Sequence, residues 1–216
     1  APPPMTPDSD PQQAPRGRAA SSGPSSAAPI PSSPGPAALA RGRFGEAPIV
    51  DLDAFAALRP SLEGTIVATS GGFDPIHPGH ASCLLGSKDH VEARTGVRPD
   101  LLIVVVNGDG FLRNKKGAAF QDLATRCRIV ACLRGVDVVV PYETETDMSV
   151  VGALRAIRPH YFTKGGDRTD MTNIAEWPLS EELGFEILPG CGVDKDWSSS
   201  DMLARWADLV RQGALK

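Results

Sequence analysis

Five short apolar, β-branched runs separated by helical stretches constrain this chain more than any other feature. Thr65–Thr69, Leu101–Val106, Val136–Val140, His160–Thr163 and Phe185–Leu188 each have the length and composition of a buried strand. Between and after them, residues 81–92, 121–134, 148–157, 175–183 and 199–211 read as helices. Strands that alternate with helices are joined by crossovers, and crossovers of that length make neighbouring strands parallel. The expected fold is therefore α/β, a doubly wound parallel sheet with helices on both faces. Right-handed crossovers set the carboxyl end of every strand, and the loop after it, along one edge. That edge is where open α/β sheets bind ligands.

Residues 1–47 differ from the rest. They hold eleven of the 20 prolines, many Ala and Ser, and a single aromatic residue, Phe44. So little apolar surface cannot offset the entropy of ordering the backbone, and a disordered tail is expected, followed by one domain over 48–216. Arg16, Arg18, Arg41 and Arg43 would suit a targeting peptide, but no apolar stretch of the secretory kind accompanies them. A formal net charge of −4 argues against a general nucleic-acid surface. No apolar run is long enough to span a bilayer. Cys83, Cys127, Cys132 and Cys191 form no CxxC pair, and are expected to be reduced filler in a cytoplasmic protein.

The first run leads directly into Gly71-Gly72-Phe73-Asp74-Pro75-Ile76-His77-Pro78-Gly79-His80. Pro78 suits the first turn of the following helix, where its missing N–H costs nothing. The free amides of that turn favour an anion, and Gly72 and Gly79 would let a bulky ligand approach the backbone. His77 and His80, three residues apart, suit a phosphate site. They also suit a metal or a packed core, and Asp74 is the one carboxylate nearby.

Three later motifs follow strands of the same sheet. Asn107-Gly108-Asp109-Gly110 opens a polar turn into a basic loop that ends Lys115-Lys116-Gly117. Lys164-Gly165-Gly166-Asp167-Arg168 sets charge beside glycines that admit a phosphate or a base, although a plain glycine turn would look the same. Ser198-Ser199-Ser200 precedes an amphipathic helix with Leu203, Trp206 and Leu209, where serines are ordinary N-caps. Arg126 stands on the helix before Val136-Asp137, a place where an exposed arginine is common.

The turn bearing His77 and His80 resembles the His-x-Gly-His signature of the nucleotidylyltransferase superfamily, whose members join a nucleoside triphosphate to a phosphorylated acceptor and release pyrophosphate. Ile157-Arg158-Pro159-His160-Tyr161-Phe162-Thr163-Lys164-Gly165-Gly166-Asp167 is similar to a segment of the sugar-phosphate branch, above all the adenylyltransferase domain of ADP-heptose synthases. Asn107-x-Asp109, Lys116-Gly117 and Arg126 keep that domain's spacing, and Ser198–Ser200 resembles its serine-rich helix start. The likeness runs over 64–207. Trp197, Ser200 and Leu203 depart from it, and Ser87–Asp100 is longer than the usual connection, an insertion expected to reshape the acceptor pocket.

The resemblance implies a Rossmann-like domain and a division of labour. His77 and His80 would stabilise charge at the α-phosphate, with Lys116 and Arg126 on the acceptor or pyrophosphate. Gly72, Phe73, Asp74, Gly79, Lys164, Gly165, Gly166, Asp167, Ser198, Ser199 and Ser200 would bind the nucleotide, and Asn107, Asp109, Lys115 and Arg168 the acceptor. Mg²⁺ would be carried on the nucleotide phosphates rather than in a protein cage, and homodimers are common in the family. The glycine-lysine segment leans towards ATP and a heptose-like sugar 1-phosphate. CTP with glycerol 3-phosphate or a phosphonate is the alternative, and a silent nucleotide-binding regulator or a metal-dependent hydrolase are the readings outside transferase chemistry.

Overall fold

The computed structural model describes residues 39–166, 171–193 and 198–214. Its strands are β1 Ile66–Gly71, β2 Leu101–Asn107, β3 Val138–Tyr142, β4 Tyr161–Gly165 and β5 Glu186–Cys191. They form a five-stranded sheet of order β3-β2-β1-β4-β5 in which every neighbouring pair is parallel. The winding reverses between β1 and β4, which makes the crevice between their carboxyl ends the natural ligand seat. The helices are α1 Leu52–Leu58, α2 Pro78–Thr95, α3 Asp109–Lys116, α4 Leu123–Ala131, α5 Val151–Ile157, α6 Trp177–Leu183 and α7 Ser199–Arg211.

Both faces of the sheet are covered, which explains why the strands are apolar throughout instead of alternating. Ile66, Ala68, Ile103 and Phe162 pack with Phe55 of α1 and with Leu154 and Ile157 of α5. Val67, Val104 and Val106 face the other way, into Leu84 and Val91 of α2 and Val130 of α4. Consecutive residues of β1 thus enter opposite cores, as the two-residue period of a strand requires.

Four segments depart from the sequence reading. β3 runs through Pro141 instead of ending before it, which is tolerated because β3 is an edge strand and needs no ladder bond there. α1 was not expected, although Asp51 is a plain N-cap whose carboxylate accepts from the Ala54 amide at 2.8 Å. The basic stretch after β2 is helix α3, closed by Gly117 at φ 87°, where the sequence suggested a loop. The segment 39–47, taken with the tail, lies against the domain: Arg41 donates to the Val136 carbonyl at 2.9 Å, and Ala47 is 1 % exposed.

The longer connection Ser87–Asp100 does not reach the acceptor side. It continues α2 to Thr95 and returns at the amino ends of the strands, where Lys88 pairs with Asp137 at 2.7 Å and donates to the Asp100 carbonyl. It therefore braces the edge of the sheet opposite the histidine-bearing turn. A fully buried ring in β4 should carry much of this packing. Phe162→Ala is expected to cost about 3–5 kcal/mol in guanidinium unfolding, with the slope of the transition unchanged.

Candidate active site

The carboxyl edge of β1 is shaped by a backbone that glycine and burial together permit. A Cβ on Gly72 would stand 2.9 Å from Leu112 Cδ2 of α3, and one on Gly79 would stand 3.1 Å from the His77 ring. Both glycines make room for the protein's own side chains. Phe73 takes φ 51°, a left-handed conformation that costs a non-glycine residue about 1–2 kcal/mol. Its ring is 4 % exposed and meets the His80 ring edge-on at 5.1 Å, so burial offsets the backbone cost.

The two histidines stand on the first turn of α2. His77 is its N-cap: Nδ1 accepts from the His80 amide at 3.4 Å. The rings are stacked, with centroids 3.7 Å apart. Burial lowers the His80 pKa to about 3, helped by the charges of His77, Lys116 and Lys115. At neutral pH His80 is therefore an uncharged donor and acceptor. Among the described residues no cluster of three or more His, Cys, Asp or Glu side chains could hold a metal.

Two buried charges hold the loops around this turn. Asp74, 1 % exposed, accepts the amides of Phe120 and Gln121 at 2.7 and 2.8 Å, so its carboxylate holds the α3–α4 loop. Arg126, 0 % exposed, donates from Nε to the Gln121 carbonyl at 3.0 Å. Its Nη1 reaches the Gly72 and Asn107 carbonyls at 2.7 and 2.6 Å, and Nη2 reaches Asp109 at 2.6 Å. It is neither the exposed arginine nor the anion-holding group that the sequence suggested. One guanidinium instead ties the ends of β1 and β2 to the start of α4.

The remaining candidates divide. Lys116 donates to the Asp74 carbonyl at 3.1 Å beside the turn; partial burial and the nearby Lys115 and Arg126 hold its pKa below the usual lysine value. Lys115 is exposed, with its ammonium over the Phe111 ring. Asp109 is engaged by Arg126, and Asn107 lies at the end of β2 with its side-chain oxygen buried. Lys164 pairs with Glu176 at 3.2 Å and lies over the Phe162 ring. Gly165 is packed against Cys83 and Cys191, and Gly166 takes φ 92° with open space beside it. Asp167 and Arg168 lie outside the described residues.

Of the serines, Ser198 caps α7 by accepting from the Asp201 amide, and Ser200 is exposed. Ser199 donates to the Pro75 carbonyl at 2.9 Å, which fastens the start of α7 to the histidine-bearing turn. Two contributors escaped sequence reading. Gln121 gave no signal beyond its place before a helix. Glu143, after β3, accepts the Asp109 and Gly110 amides and so caps α3, a contact that only the folded sheet creates.

A scan against family models matches residues 68–188 to the family described as cytidylyltransferase-like. The chain belongs to the cytidylyltransferase-like family. With it the chain is placed among the nucleotidyltransferases. The cytidylyltransferase-like span opens within β1 and closes within β5, so it takes in both histidines, α3, Arg126 and Lys164 but stops short of α7.

Among curated proteins the chain is 38% identical over 138 residues to the bifunctional protein HldE of Methylococcus capsulatus, covering 63% of this chain and 27% of that protein. It is 34% identical over 163 residues to the bifunctional protein HldE of Streptomyces coelicolor, covering 74% of this chain and 32% of that one. The chain thus spans about a third or less of the curated relatives it matches. Among solved structures, the lipopolysaccharide core biosynthesis protein from Thermoplasma volcanium superposes with a TM-score of 0.48 at 25% identity, covering 61% of this chain and all of that one.

His80 gives this site a pH signature. Its folded pKa of about 3 lies below the ordinary histidine value of 6.5, so the unfolded chain binds the extra proton and folding loses stability as pH falls between those values. Carbon-detected NMR should find the His80 ring neutral at pH 5. A His80→Gln protein should show a shallower acid loss of stability than the parent.

Proposed function

We propose that this cytidylyltransferase-like chain transfers a nucleoside monophosphate from ATP or CTP to a phosphorylated sugar or polyol. The reading leans towards ATP and a heptose-like sugar 1-phosphate. The observation that carries it is the pair of stacked histidines on the first turn of α2, beside the crevice where the sheet reverses, with His80 held uncharged by burial. The likeness of the segment ending in Lys164-Gly165-Gly166 to the sugar-phosphate branch supports the acceptor class.

In the reaction an acceptor phosphate oxygen forms a bond to the α-phosphorus. The bond from that phosphorus to the bridging oxygen of the leaving group breaks, and pyrophosphate departs with the electron pair. His77, His80 and the α2 amides face charge gathering on the α-phosphate, and Lys116 the pyrophosphate or acceptor end. No protein nucleophile is required, and burial pushes the Cys127 thiol up to about 12, away from reactivity. Magnesium enters as part of the metal–nucleotide substrate. The carboxylates of Asp74 and Asp109 are already engaged by protein donors, so no step is assigned to a resident ion.

Four described cysteines are free thiols, and no described helix is long and apolar enough to cross a membrane. The free thiols suit a cytoplasmic enzyme that draws on the nucleotide pool.

Pyrophosphate release should be measured with ATP, CTP, GTP and UTP against sugar phosphates, polyol phosphates and phosphonates. The expected result is release with ATP and a sugar 1-phosphate. CTP with glycerol 3-phosphate would favour the cytidylyl alternative, and tight nucleotide binding without release would favour a silent regulator. His80→Ala is expected to lower turnover by about 10²- to 10³-fold in a folded protein. Near-normal turnover in that variant would contradict the assignment.

A further inference from the structure

The fold divides the segment 157–167 that resembles the sugar-phosphate branch. Lys164 and Gly165 end β4 on the edge that carries the histidines, whereas Arg158, Pro159 and His160 come before that strand, on the opposite edge. β1 runs between the two edges, and its six residues separate them by roughly 20 Å. At the amino ends of β4 and β5, Arg158 and His160 line a cleft of about 450 Å³ together with Arg59, Gly184 and Glu186. That volume suits a small molecule, and no step of the transfer uses it.

Positive charge in this cleft is left uncompensated. Arg59 donates from Nε to the Ile157 carbonyl at 2.8 Å, from Nη2 to the Arg158 carbonyl at 3.0 Å and from Nη1 to the Leu62 carbonyl at 3.4 Å, so its donors meet neutral groups. Partial burial and the like charge of Arg158 hold its pKa below the usual arginine value. The Arg158 guanidinium has no hydrogen-bond or ion-pair partner among the described residues. Its backbone closes α5 at φ 48°, a left-handed position that glycine usually takes. An arginine kept there against the backbone preference, with its charge unspent beside another, asks for a use of the side chain. His160 Nδ1 accepts from the Ile66 amide at 2.9 Å, which leaves Nε2 for a ligand. Among the described residues that line the cleft Glu186 is the one carboxylate, and it pairs with none of these groups.

The two signs of charge narrow the ligand. Guanidinium groups match phosphate oxygens, whereas a carboxylate repels a bare phosphate and accepts from hydroxyls. We propose that this cleft is a second binding site, which takes a hydroxyl-bearing phosphate ester with its phosphate on Arg158, Arg59 and His160 and its hydroxyls towards Glu186. The site lies apart from the histidine-bearing turn and stands whether or not the transfer reading does.

Amide NMR of the full chain tests this without turnover. Glycerol 3-phosphate, AMP and inorganic phosphate are titrated separately, with the amides of Tyr161, Gly184 and Glu186 reporting the cleft and those of Gly79 and His80 the transfer site. At least one ester should shift the cleft amides and bind there about tenfold more tightly than inorganic phosphate. Glycerol 3-phosphate in that role would identify a polyol phosphate as the ligand, and AMP a nucleotide. In Arg158→Gly the affinity read at the cleft should fall about tenfold, with responses at Gly79 and His80 as in the parent. The melting temperature of that variant should hold or rise, because glycine suits the left-handed backbone. Arg158→Lys, which keeps the charge, should retain more of the affinity than Arg158→Gly. Cleft amides unmoved by both esters, inorganic phosphate bound there as tightly as either ester, or unchanged cleft affinity in Arg158→Gly would each overturn the proposal. Absence of pyrophosphate release would count against the transfer reading alone.

Discussion

The guanidinium of Arg126 is the contact on which the candidate site depends. A fully buried arginine is costly unless its donors are met, and here four hydrogen bonds meet them: three backbone carbonyls and the Asp109 carboxylate. Those carbonyls belong to Gly72, Asn107 and Gln121, so a single side chain fixes the ends of two neighbouring strands and the entry to α4. Asp74 complements it by holding the amides of Phe120 and Gln121. Loops at the edge of a sheet are usually its most mobile parts. These are anchored by charge that the surrounding low-dielectric interior makes stronger.

That anchoring explains how His80 comes to be an uncharged donor. Phe73 is pressed into the core at a positive φ, its ring walls one side of His80, and His77 stacks on the other. Enclosure and neighbouring cations push the His80 proton off, while Lys116 is kept close through its bond to the Asp74 carbonyl. Ser199 adds a tie from α7 to Pro75. Asp74, Arg126 and Lys164 each meet a partner within the protein.

The division between what sequence reveals and what it hides follows from physics. Strand runs and most helices were legible because burial on both faces of a parallel sheet writes continuous apolar segments, and α7 agreed to its ends. The site's position was legible too, since connectivity alone puts loops after strands on one edge. Roles were harder. Whether Arg126 is exposed or buried depends on carbonyls brought from three places in the chain, and Lys164 finds Glu176 only once α6 packs near β4. Helix α3 was hidden because its Asn107-Gly108-Asp109-Gly110 start reads as a turn. A Cβ on Gly110 would collide with the Thr144 carbonyl, so that glycine records a close approach of the loop after β3 and no break in the helix.

Hydrogen exchange on an Arg126→Met protein probes the role of the guanidinium most directly. If Arg126 serves the site by fixing its loops, amides at 108–112 and 119–121 should lose protection together, while Leu102–Val106 in the centre of the sheet stay protected. Loops that exchange as slowly as in the unaltered protein, or a sheet that loses protection as much as the loops do, would contradict the account.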